Sequence, residues 1–260
     1  MPVVGSCYSP LCFHGGRDEQ WFRGVHIQIE ACFGAYLGGR MRPMQSASAR
    51  ADAAGVTACL EATAECLAEM EAILERMTDG CDPYVYYTRV RQPMSGWRSN
   101  PLLPDGLLYE GVGDEGATAM YIYGETGAQS SILSTIDAML GVTHKEGWLK
   151  DYLQDMRQMM PREHRQFLDE LEAVGSVRPF VEACIREAAT GCGAHQPAAG
   201  VVEAYNKAID RLQAFRGTHK RFAYTYISQF GQADSSSERG TGGESFRVNS
   251  WPRPSHGHEY

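Results

Sequence analysis

The sequence has no P-loop, no GxGxxG after a strand, no HExxH and no GxSxG. It therefore lacks the usual marks of NTPases, dinucleotide enzymes, zinc peptidases and serine hydrolases. No apolar run approaches the roughly 20 residues that span a bilayer, so no membrane association is expected. The N-terminal stretch MPVVGSCYSPLCFHGGRDEQ has no basic region followed by an apolar core, so a secretory signal is not expected. Basic charge is scarce: Lys and Arg number 24 against 32 Asp and Glu, a net charge of -8 over 260 residues. An acidic surface repels phosphate, and no local basic stripe offsets it, which argues against a nucleic-acid partner. Eight cysteines are present, but no CxxC pair and no Cys/His spacing that suits zinc. Reduced thiols in a cytoplasm are the expected reading.

What is present is helical periodicity. Phe22, Ile29, Phe33 and Leu37 recur at seven, four and four residues, one face of a helix over Glu19 to Leu37, and His26 lies on that face. A longer helix is expected from about Ser46 to Thr78, with Val56, Leu60, Leu67, Met70, Leu74 and Met77 as its seam. Gly80 interrupts it. Asp82 then serves as an N-cap with Pro83 at the first helical position, and this helix ends near Pro93. From Ser95 to Gly127 glycines and prolines break any long element, and irregular stretches of that length are often functional. Ile132, Ile136 and Leu140 resume the helical spacing, with Gly141 as a C-cap. Helices follow over Trp148 to Met160, Pro161 to Ala173 and Val177 to Ala189. TGCGAHQPAAG (190–200) reads as a linker, and a last long helix runs from Val201 to about Gln229. The fold class is all-α, a helical bundle. Residues 19–230 form its main domain, 1–18 an N-terminal segment and 231–260 a polar, Gly/Ser-rich flexible tail. The tail histidines His256 and His258 read as part of that tail.

His26 and His219 sit on separate apolar helical faces. Either alone is more often a core histidine than a ligand. Together, in an all-α bundle with no other catalytic set, they suggest a haem pocket with one proximal ligand and one distal residue.

Several blocks carry a family resemblance. They are YVYYTRVRQPMSGW (84–97), PDGLLYEG (104–111), AQSSILSTIDAMLG (128–141), LQDMRQMMPREHR (153–165), AFRGTHKRFAYTYI (214–227) and GTGG (240–243). In order and spacing they resemble the large catalytic domain of indoleamine 2,3-dioxygenase. The resemblance implies haem b as cofactor, O2 as co-substrate, a small indole substrate, and an electron donor to reduce the iron. It implies addition of O2 across the indole C2–C3 bond of L-tryptophan or a derivative, giving an N-formylkynurenine-type product.

Residue by residue, the resemblance makes His219 the proximal iron ligand. Arg216, with Asp137 as its acidic partner, belongs to the cofactor side, as does Gly242 in the GTGG loop. Arg91 would bind the amino-acid carboxylate, for which a guanidinium offers a planar fork. Tyr86 and Tyr87 match an aromatic pair near the indole. Thr126 matches a small hydroxyl residue above the haem. Thr241 would bind the substrate carboxylate or ammonium group and bring the tail over the pocket.

The first helix departs from this pattern. Phe22, His26 and Glu30, four apart, resemble the distal segment of tryptophan 2,3-dioxygenase, where the histidine accepts the indole N–H. His26 is therefore the expected catalytic residue and Phe22 a substrate contact. A second expectation follows from where the blocks start. The family's small N-terminal domain is expected to be absent, so residues 1–18, the tail or another subunit would cover the distal side, and a homo-oligomer is expected. Two other readings keep the haem: a monooxygenase or rearranging oxygenase of aromatic amino acids, and a non-catalytic haem sensor or carrier. A haem-free helical interaction module is the fourth.

Overall fold

The computed structural model describes residues 9–98, 100–112, 119–189 and 195–233. Among these, every extended regular element is a helix, and the only strand-like pairing is an isolated bridge between Leu107 and Met120. The helices are α1 (Arg17–Ala49), α2 (Ala53–Glu75), α3 (Pro83–Val85), α4 (Arg91–Met94), α5 (Ser131–Leu140), α6 (Trp148–Gln158), α7 (Arg162–Val174), α8 (Arg178–Ala189) and α9 (His195–Tyr226). No helix among the described residues is long and apolar enough to cross a membrane.

α2 is the centre of the bundle, packed between α1 and α9. Its seam is the expected one: Val56, Leu60, Leu67, Met70, Leu74 and Met77 are all buried. Each such side chain removed from water stabilises the fold by about 1.5–3 kcal/mol. α8 lies along α9, and α5 packs on α7.

Two boundaries differ from the sequence expectation. α1 continues through Gly38 and Gly39 to Ala49, and the break falls at Arg50–Asp52. Met44 and Ala47 are buried in the core, so tertiary packing outweighs the weak helix propensity of the glycines. The break is made locally: Ala51 takes φ 54, and the Asp52 side chain caps α2 through the Gly55 N–H. The second difference is in the supposed linker, where α9 begins at His195.

The Asp82-Pro83 start is as expected, with Asp82 Oδ1 accepting from the N–H groups of Tyr84 and Val85. Between α3 and α4 the helix carries a π turn, Tyr86–Val90, in which the Arg91 N–H donates to the Tyr86 carbonyl. Such turns are rare and often accompany functional sites. Gly96 follows it. A Cβ there would stand 2.3 Å from the Ile122 carbonyl oxygen and 2.4 Å from the Gly124 nitrogen. Only glycine lets the 122–124 backbone lie against the end of α4.

The six described cysteines are free thiols, four of them buried. Burial pushes the Cys66 thiol well above its ordinary value and Cys81 up to about 12. They act as small apolar side chains.

Candidate functional site

Two long helices, packed on either side of α2, carry a histidine each. On α1, His26 Nδ1 lies 2.8 Å from the Phe22 carbonyl. A carbonyl only accepts, so Nδ1 carries the proton and Nε2 is left as an acceptor in the neutral ring. Burial pushes the His26 pKa down, against smaller opposing effects of the Phe22 carbonyl and Glu30. On α9, His219 is an exposed residue, yet desolvation of its ring lowers its pKa, with His26 adding to the effect. The effect of His26 on His219 places the two side chains within electrostatic reach of each other. His219 makes no hydrogen bond among the described residues, so its ring nitrogens are available to a ligand.

Aromatic rings connect the two helices. Phe22 lies 4.5 Å from His26 and 4.8 Å from Tyr86, centroid to centroid. Tyr86 meets Tyr226 edge-on at 5.5 Å, and Tyr226 meets Phe222 at 5.7 Å. Phe222 and Tyr226 follow His219 at three and seven residues, on its helical face. Sequence reading missed both as site residues, although the i, i+3, i+7 spacing was there to find them.

Arg91 is buried, 6% exposed, with its guanidinium 5.5 Å from the Tyr87 ring centre. Desolvation pushes its pKa down, with Tyr86 and Tyr87 acting the other way. Its Nε has no acceptor among the described residues. Tyr87 also meets Phe230 at 5.3 Å. The chain therefore leaves α9 beside the Tyr87–Arg91 pair.

Thr126 opens a short 3-10 turn (Gly127–Gln129), accepting from the Ala128 N–H at 3.4 Å while its own N–H donates to Gln129 Oε1. Tyr152 of α6 donates to the Thr126 hydroxyl at 3.5 Å. Two contacts hold this loop to the His26 helix: Arg23 with Glu125 at 3.5 Å, and Ser130 Oγ with Glu30 at 2.6 Å. Asp137 and Arg216 pair as expected, with Arg216 Nη2 at 2.6 and 2.7 Å from the two carboxylate oxygens. His144, which sequence reading missed, adds a third member at 3.0 Å from Asp137 Oδ2. Thr241 and Gly242 lie outside the described residues.

The described part of the N-terminal segment is fastened to the start of α1 of the same chain. Glu19, 1% exposed, accepts from the N–H groups of Phe13, His14 and Gly15 at 2.7, 2.8 and 3.1 Å, and from Arg23 Nε at 3.1 Å. A shallow recess of about 430 Å³ among Arg98, Asn100, Leu103, Pro104 and Tyr121 contains none of the candidate residues.

The sequence matches the Indoleamine 2,3-dioxygenase family over residues 6–251. The chain belongs to the indoleamine 2,3-dioxygenase family. It is 34% identical over 217 residues to indoleamine 2,3-dioxygenase 1 of Rattus norvegicus, covering 83% of this chain and 49% of that protein. It is 33% identical over 226 residues to the Saccharomyces cerevisiae indoleamine 2,3-dioxygenase, covering 83% and 47%. A 6-hydroxytryptophan 2,3-dioxygenase of Fusarium equiseti is 30% identical over 229 residues, covering 87% and 52%. The chain spans about half the length of the curated relatives it matches. The all-α bundle agrees with this membership.

The residues present fit a haem. Among the described residues no three His, Cys, Asp or Glu side chains gather into a metal cage. A haem would need only one side chain to hold its iron, because the porphyrin supplies the remaining ligands. His219, exposed, without a hydrogen bond among the described residues and with its protonation disfavoured, has the chemistry of such a ligand. Arg216, one turn earlier, offers a cation on the same helix.

Proposed function

We propose that this chain is a haem-dependent oxygenase that adds O2 across the indole C2–C3 bond of L-tryptophan or a tryptophan derivative, giving an N-formylkynurenine-type product. The observation that carries the reading is the run of rings Phe22, Tyr86, Tyr226 and Phe222 that joins the His26 helix to the His219 helix, with the pKa of both histidines lowered. When bound, haem supplies the iron at which O2 is activated. His219 would hold that iron through its imidazole, and its lowered pKa favours the unprotonated ring that such a ligand needs. Arg216 would serve the cofactor side, with Asp137 holding it, and the family resemblance assigns Gly242 of the GTGG loop to the same side.

Opposite, His26 accepts the indole N–H at Nε2, the atom that the Nδ1 bond to Phe22 leaves free. Phe22 and Tyr86 pack against the indole, with Tyr87 at the edge of the same wall. Arg91 binds the carboxylate; a guanidinium already desolvated by the protein gains most from a charged partner. Thr126 adds a hydroxyl from the loop beside α1. Thr241 completes the carboxylate or ammonium contact. It lies 11 residues beyond Phe230, a reach of at most about 39 Å for extended chain, and Phe230 is already stacked on Tyr87. Closure by that segment would exclude water. An external electron donor keeps the iron ferrous. A cytoplasmic location and a homo-oligomer belong to the same reading.

The test is to load the purified protein with haem, reduce it without oxygen, and titrate L-tryptophan. A Soret band that His219→Ala loses, and that tryptophan shifts in the wild type but not in Arg91→Ala, is the expected result. A wild-type Soret band indifferent to every indole and amino acid tried would favour a sensor or carrier. A derivative as substrate is favoured by the polar tip that Tyr86 adds to the ring it packs against Phe22.

A further inference from the structure

Asp137 is gripped from two sides. α5 ends at Leu140, where Gly141 takes a left-handed φ of 73 and the Val142 N–H returns to the Asp137 carbonyl at 2.9 Å. A Cβ at Gly141 would also meet Ser176 Oγ at 2.7 Å and Arg178 Cβ at 2.8 Å, so the turn depends on glycine twice. The reversed chain carries His144 back until its Nε2 lies 3.0 Å from Asp137 Oδ2. The carboxylate oxygen accepts, so Nε2 donates.

From the other side Arg216 uses one nitrogen only. Its Nη2 reaches both oxygens, and no hydrogen bond from Nη1 or Nε to the described residues is found. The three side chains are 19%, 12% and 21% exposed for His144, Asp137 and Arg216, sheltered enough for their charges to matter. One carboxylate thus serves two donors, and the Nη1 and Nε groups of Arg216 are left without an acceptor among the described residues, one helical turn before His219.

We propose that His144 is a positioning residue for the cofactor's anionic edge. By holding Asp137 Oδ2 it fixes the carboxylate so that Arg216 is anchored through Nη2 alone. The remaining guanidinium N–H groups are then kept for a porphyrin carboxylate. The inference rests on the haem reading given above.

The test titrates the haem-free protein with haem and, separately, with haem whose two carboxylates are methyl esters. Wild type, His144→Leu, His144→Gln and His144→Asn are compared. His144→Leu should weaken haem binding about five- to tenfold, the scale of one ordinary hydrogen bond because its effect on the cofactor is indirect, and leave binding of the diester unchanged. His144→Gln, which can place an N–H donor at Oδ2, should restore the wild-type value. His144→Asn, too short to reach, should behave as the leucine variant does, and decides the matter if His144→Leu does not fold. Variants that bind haem as the wild type does, or that lose haem and diester equally, overturn the role of His144. If the wild type binds neither compound, the haem reading itself fails, and the two failures are thereby told apart.

Discussion

Replacing Glu19 by glutamine tests how the N-terminal segment is held over the start of the His26 helix. The Glu19 carboxylate is covered by residues 13–15, and burial alone would raise its pKa. Backbone N–H groups of His14, Phe13 and Gly15, with Arg23, outweigh that and take it from 4.5 down to about 2. At about 1.4 kcal/mol per unit, this difference corresponds to about 3 kcal/mol. The cover is thin, so solvent screening brings the expectation to about 2–3 kcal/mol. A glutamine keeps one acceptor oxygen and turns an NH2 donor towards N–H groups that need acceptors. The sign with pH follows from a depressed carboxyl: the stabilisation is complete above about pH 4.5 and is lost as the pH falls towards 2. Hydrogen exchange should show the Phe13, His14 and Gly15 amides protected in the wild type at pH 7 and exchanging at least tenfold faster in Glu19→Gln. Should the segment and bundle unfold together, the melting temperature would also drop by about 5 °C or more, at about 2–4 °C per kcal/mol for a chain near this size. Unchanged amide protection in Glu19→Gln would refute the argument.

Three further outcomes are expected. Arg91→Leu should raise KM for L-tryptophan about 10- to 100-fold, the value of a charged hydrogen bond. It should change turnover of an indole lacking the carboxylate little; equal losses on both substrates would contradict the assignment. Gly96→Ala must displace the 122–124 backbone and should cost about 2 kcal/mol or more in denaturant unfolding. An unchanged midpoint would mean that the close approach is absent. Both His26 and His219 have pKa values lowered by burial, so the unfolded chain takes up protons first as the pH falls. Stability of the haem-free protein should therefore decline as pH drops below about 6.5, and a double replacement of the two histidines by glutamine should flatten that slope.

The parts of the fold legible in the sequence are those that local periodicity controls. The α2 seam, the Asp82-Pro83 start and the Gly141 stop each rest on side chains within a few residues of one another. The α1–α2 break did not, because Gly38 and Gly39 read as punctuation while the buried Met44 and Ala47 carry the helix past them. The π turn had no signal either, since Tyr86 to Val90 fits an ordinary helix by composition. For the site, His26, His219, Arg91 and the Asp137–Arg216 pair could be named from motif register. His144 could not, because its contact with Asp137 depends on a chain reversal at Gly141. Phe222 and Tyr226 were visible as a helical face but lacked a reason to be read as site residues until Tyr86 was seen against them.

The central claim is that this chain adds both atoms of O2 to an indole. The most direct measurement is the mass of the product formed by the haem-loaded, reduced protein with L-tryptophan or a ring-substituted analogue under isotopically labelled oxygen. The account predicts a ring-opened, formylkynurenine-type product carrying two labelled oxygens, and none from His219→Ala. A product with one labelled oxygen, or no product from any indole while haem is bound, would contradict it.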